Sequence, residues 1–197
     1  MLERISFPLI LMMLAGTPAI AQSNIKPDST PRFPSQPGQG LPVEDRQFIT
    51  KAVNLSDAEI QAGRLAAEKA SSEPLRKFGE GAAADHEKLR ATIEQLAHKN
   101  GIPLQEHASR STWQSELQRI GGLSGQEFER EYLAWQLQTH LALAELYQTE
   151  ASNTSETELA KFAITSLNRI QARFDQVKQL GAQQGITINT AKQRPQY

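Results

Sequence analysis

Residues 71–104 read SSEPLRKFGEGAAADHEKLRATIEQLAHKNGIPL, and residues 155–188 read SETELAKFAITSLNRIQARFDQVKQLGAQQGITI. Aligned without a gap, 84 positions apart, they set Leu75 on Leu159, Lys77 on Lys161, Phe78 on Phe162, Ile93 on Val177, Leu96 on Leu180, Gly101 on Gly185 and Ile102 on Ile186. Both stretches open with a Ser/Glu cluster, carry an apolar residue every three or four positions, and stop at a glycine. That period is helical, and its recurrence predicts two helical hairpins stacked into one antiparallel bundle.

Outward from this echo, four long helices are expected at about 45–70, 73–99, 124–152 and 155–184. Pro74 suits a first helical turn, where its missing N–H has no partner to lose. Asn100-Gly101 and Gly185 supply stops, because glycine takes the left-handed conformation without a Cβ clash. Ser124 and Glu127 are spaced as a capping box. The first-to-second and third-to-fourth connections are short. The second-to-third, Gly101 to Leu123, is long and holds a candidate short helix, Ser111 to Ile120, with Trp113 as a lid on the bundle. The charge run Glu127, Glu129, Arg130, Glu131 reads as a solvated face.

Residues 1–21 have the layout of a secretory signal peptide: Arg4, an apolar run from Ile5 to Leu14, and Ala19-Ile20-Ala21 as a small-x-small cleavage site. Residues 22–43, with Pro27, Pro31, Pro34, Pro37 and Pro42, read as a disordered linker, residues 44–188 as the bundle domain, and residues 189–197 as a flexible tail. The expected location is the periplasm or the medium. Without cysteine, the chain has no lipid anchor, disulfide or thiolate chemistry. Loss of residues 1–21 removes Glu3 and Arg4 together and leaves the formal charge at −1. Near-neutrality argues against nucleic acid or an anionic membrane as partner, and no later segment has transmembrane hydrophobicity.

Three polar residues interrupt the inward stripes. Glu59 falls in the series Phe48, Ala52, Leu55, Glu59, Ala62, Ala66. His86 falls in Leu75, Phe78, Ala82, His86, Leu89, Ile93, Leu96, with Asp85 at the stripe edge. His140 falls in Leu133, Leu137, His140, Ala144, Tyr147. Each lies near mid-helix, so the three can converge at one level, and a carboxylate with two imidazoles suits zinc, iron or copper. Arg173 on the last helix competes with that reading. A permanent cation facing inward would pair with Glu59 or Asp85 and repel a metal. The echo pairs Glu59 with Leu143, Asp85 with Arg169 and His86 with Ile170, so the polar set is asymmetric. No Glu-x-x-His occurs, which excludes a ferritin-type dinuclear centre. His98 reads as a surface residue closing its helix, and His107 in the crossover has nothing local to complete a site.

The order of features resembles an exported four-helix family catalogued as domain of unknown function 4142, whose members are ferritin-like and often labelled predicted outer-membrane proteins. The resemblance spans about Glu44 to Leu180. It rests on Asp45-Arg46-Gln47-Phe48, Ala58-Glu59, Gly63-Arg64-Leu65-Ala66, Phe78, Asp85-His86, Leu96-Ala97, Gly101-Ile102, Phe128, Tyr132-Leu133 and His140. The resemblance implies Leu-Pro and then a histidine in the last long helix; here Leu167-Asn168 and Arg173 stand in those places. The expected fold is thus all-α, an antiparallel ferritin-like four-helix bundle with a long crossover between its second and third helices.

No Gly-x-Ser-x-Gly elbow, Ser-x-x-Lys or phosphate loop occurs. The leading expectation is a non-enzymatic exported bundle with a structural, stress-related or interaction role, an unidentified protein partner and no cofactor. The alternative is one divalent metal or small ligand held by Glu59, His86 and His140 with Asp85 in support. A third reading makes Asp85-His86 an acid/base pair of an enzyme.

Overall fold

The computed structural model describes residues 40–104 and 112–185, which hold five α-helices and no strand. They are α1 (Val43–Lys69), α2 (Glu73–Lys99), α3 (Thr112–Gly121), α4 (Gly125–Asn153) and α5 (Thr157–Gln183). The leader, most of the linker, His107 and the C-terminal tail lie outside the described residues. No described helix is long and apolar enough to cross a membrane.

The helix ends follow local chemistry. Pro74 enters α2 in its first turn. At the other end Gly101 takes φ 63°, Gly101 N–H donates to His98 O at 3.1 Å, and Ile102 N–H donates to Ala97 O at 2.9 Å. That is a Schellman closure, and it buries Ile102 against the core. The expected capping box on α4 does not form. Ser124 occupies the N-cap position, but its side chain makes no capping hydrogen bond, and Gly125 with φ 58° turns the chain into the helix instead.

Nor is Glu129 part of a solvated face. It is 5 % exposed, and its Oε1 accepts from the backbone N–H of Ser71 and Ser72 at 2.7 and 2.8 Å. Its Oε2 accepts from Gln184 Nε2 at 2.6 Å. A carboxylate from α4 thus satisfies donors at the start of α2, where negative charge is favoured.

The predicted hairpins are present, with α1 on α2 and α4 on α5. In the first, small residues let the two backbones touch. A Cβ on Gly63 would lie 2.5 Å from the carbonyl oxygen of Gly79, and one on Gly79 would lie 2.5 Å from that of Gly63. Helix α1 also packs on α4, whereas α2 meets α5 more sparsely. Helix α3 lies over α1 and α4, where Trp113 meets Trp135 edge-on at 6.2 Å, as a lid would.

Burial divides the interior into two apolar zones. One gathers Phe48, Ile49, Ile93, Leu143, Tyr147 and Ile170; the other gathers Leu75, Phe78, Phe128, Tyr132, Trp135 and Val177. In every long helix the boundary between zones falls at one level, and that level holds Ser56 and Glu59 on α1, His86 on α2, and Gln136 and His140 on α4. On α5 the same interval, between Ile170 and Val177, contains Arg173.

Candidate metal centre

Three helices bring the three stripe-breaking residues together. Glu59 and His140 are 0 % exposed and His86 is 4 % exposed. Each offers one ligand atom, and those atoms lie within 4.8 Å of one another. Ligands at opposite edges of a tetrahedral zinc site stand roughly 3.4 Å apart, given bonds of about 2.1 Å, so small rotamer adjustments suffice to close the set. The His86 and His140 rings stand edge to face with centroids 6.4 Å apart.

Hydrogen bonds fix what each residue can offer. Gln136 Nε2 donates to Glu59 Oε2 at 2.8 Å. His140 Nδ1 lies 2.9 Å from the carbonyl oxygen of Gln136. A carbonyl only accepts, so Nδ1 must carry a proton, and in the neutral ring the lone pair then belongs to Nε2. Glu59 Oε1 lies 3.7 Å from His140 Nδ1, beyond hydrogen-bond reach. One buried atom in each residue is then left without a hydrogen-bond partner: Glu59 Oε1, His86 Nδ1 and His140 Nε2. Burying such groups unpaired carries a penalty of roughly 1–3 kcal/mol each, more for a charge. A cation coordinated by these atoms would remove the penalties.

The electrostatics suit that task. Burial drives the His86 pKa down from 6.5 to about 4; Glu59 and Asp85 oppose the fall, while His140 and Arg173 add to it. His86 is therefore neutral at pH 7, as a metal ligand must be. The Tyr132 hydroxyl lies buried in the same layer, and burial, followed by the charge of Glu59, holds its pKa well above the usual phenol range.

Arg173 does not enter the core as the sequence suggested. Its side chain is 21 % exposed, and its Nε donates to Asp85 Oδ2 at 3.0 Å while Nη2 donates to the same oxygen. Asp85 is itself 41 % exposed. The anticipated ion pair exists, but on the rim of the bundle, where a long side chain can keep its charge near water. The core carboxylate, Glu59, is left to the histidines. Asp85 is likewise turned to Arg173, and His86 Nδ1 has no partner, so the orienting bond of an acid/base dyad is missing at that nitrogen. His98 is exposed at the end of α2.

The sequence reading did not count Gln136, Tyr132 or Ser56 among the site residues. Gln136 and Tyr132 lie one and two turns before His140 on the same side of α4, so extending that series backwards would have reached both.

The family model described as "Domain of unknown function (DUF4142)" matches residues 30–180. No curated protein sequence matches the chain. Among solved structures, a DUF305 fragment from Deinococcus radiodurans superposes with TM-score 0.66 at 12 % identity, covering 73 % of this chain and 99 % of that one. CopM in the Cu(I)-bound form superposes with TM-score 0.60 at 19 % identity, covering 71 % of this chain and 96 % of its own. At these identities the likeness is one of fold, an all-helical bundle.

Proposed function

This chain belongs to the DUF4142 family, and from that premise we propose that its bundle binds one divalent transition-metal ion through Glu59, His86 and His140. Two observations carry the reading: Glu59, His86 and His140 from three helices bring possible ligand atoms within 4.8 Å of one another, and each of the three residues has a buried polar atom without a hydrogen-bond partner. The role is binding, the alternative that the sequence offered beside a structural, stress-related or interaction role. If residues 1–21 direct export, the protein handles its metal outside the cytoplasm.

The donor set selects the metal. Two imidazoles and a carboxylate suit Zn(II), Cu(II) or Fe(II). Soft ions prefer sulfur, yet the chain has no cysteine, and its three methionines stand at positions 1, 12 and 13, ahead of the bundle. CopM holds Cu(I) in a bundle of similar shape. That likeness supports metal binding by such a fold, while the ligands here favour a divalent ion.

The test is metal analysis of natively purified protein, followed by titration of the stripped chain with Zn(II), Cu(II) and Co(II). The expected result is one equivalent per chain, lost in Glu59→Gln, His86→Ala and His140→Ala. Failure of the stripped wild-type chain to take up any of the three ions would overturn the assignment.

A further inference from the structure

An ion bound by Glu59, His86 and His140 needs a way in, and the three residues are almost wholly enclosed. His86 is the least buried of them and stands on α2, beside the sparsely packed seam with α5. Arg173 spans that seam at the level of the cluster. Arg173 reaches from α5 to Asp85, the residue next to His86, and donates to its Oδ2 through Nε and Nη2. Its Nη1 donates to Gln176 Oε1 at 3.0 Å. The guanidinium lies over the Phe78 ring, 5.9 Å from its centroid.

Beneath it, Gly81 leaves room for the edge of the guanidinium against α2. A Cβ there would stand 2.9 Å from Nη2 and 3.0 Å from Nη1. On the same seam opens a cavity of about 300 Å³, lined by Phe78, Arg173, Gln176 and Leu180 among others.

Resting on the metal assignment above, we infer that the Arg173–Asp85 strap is the gate through which the ion enters and leaves, between α2 and α5. Closed, the strap blocks the seam with atoms and with a fixed positive charge that repels cations. Open, it frees the Asp85 carboxylate beside His86 as a first acceptor for the incoming ion. A pair this exposed holds weakly, so it can open without unfolding either helix. The strap then governs both rates of exchange.

Stopped-flow uptake of Co(II) by the stripped full-length chain, and its release to a chelator, test this directly. Arg173→Ala should speed both by about tenfold, the factor that a rim ion pair can supply. Gly81→Ala is the sharper variant. It keeps every charge and favours the helix, yet its methyl displaces the guanidinium, so both rates should rise while Kd stays within about threefold. If Gly81 and Arg173 were merely structural, the more helical Gly81→Ala protein would exchange metal at the wild-type rate or more slowly. Unchanged rates in both variants, with one Co(II) still bound by each, would overturn the gate and leave the metal assignment standing. Absence of Co(II), Zn(II) and Cu(II) binding by the wild-type chain would overturn both.

Discussion

Glu59 has one oxygen bonded to Gln136 and the other bare, inside a bundle where neither reaches solvent. Gln136 thus does two things for the cluster: its amide holds Glu59 Oε2, and its backbone carbonyl sets the tautomer of His140. Groups that orient ligands in this way typically contribute 10- to 100-fold to metal affinity, so Gln136→Leu should weaken Zn(II) binding by roughly that factor. Competition with a chromophoric chelator measures it, and an unchanged Kd would show Gln136 to be filler. His86 supplies a pH signature. Its folded pKa of about 4 lies below the ordinary 6.5, so between those values the unfolded chain binds more protons and stability rises with pH. The contribution is complete above about pH 6.5 and is lost as the pH falls through about 4. Urea melts of the metal-free protein should therefore lose about 3 kcal/mol across that window, and His86→Gln should flatten the dependence. An equal loss in the variant would assign the acid sensitivity to other groups.

At the scale of the helices, what the sequence revealed depended on how each helix is buried. Helix α2 has an apolar stripe flanked by charge, with Pro74 and Asn100-Gly101 at its ends, and its predicted bounds agree with Glu73–Lys99. Helix α4 is covered by α1, α3 and α5, so its buried face is wide and includes Gln136, Thr139 and Glu129. A narrow-stripe reading could find His140 there but not the amide that holds Glu59. The destination of Arg173 was hidden for a different reason. Periodicity places its Cα toward the interior, while four rotatable side-chain bonds let the guanidinium reach the rim and Asp85. The crossing of α1 and α2 yields a prediction that opposes helix propensity. Gly63→Ala adds a helix-favouring residue, but its Cβ meets the backbone oxygen of Gly79 at 2.5 Å. The helices must separate, and the variant should lose about 1–3 kcal/mol in thermal or denaturant unfolding. A stabilised variant would show that the helices separate there at little expense.

Across the whole molecule, the echo between residues 71–104 and 155–188 accounts for the frame and leaves the centre asymmetric. It sets α2 and α5 in equivalent places in their hairpins, yet α2 carries His86 while α5 carries Arg173 and no ligand. Two apolar zones stabilise the bundle from either side of the polar layer. A metal there should raise stability by mass action, by about 2.7 kcal/mol at a free concentration 100 times its Kd. The measurement that bears most directly on the centre is X-ray absorption of the stripped chain loaded with one equivalent of Zn(II). The site predicts a first shell of nitrogen and oxygen at about 2.0–2.1 Å, two imidazoles visible by multiple scattering, and no sulfur. A shell of oxygen alone, without the imidazole pattern, would place the metal on the surface carboxylates and contradict a centre built from Glu59, His86 and His140.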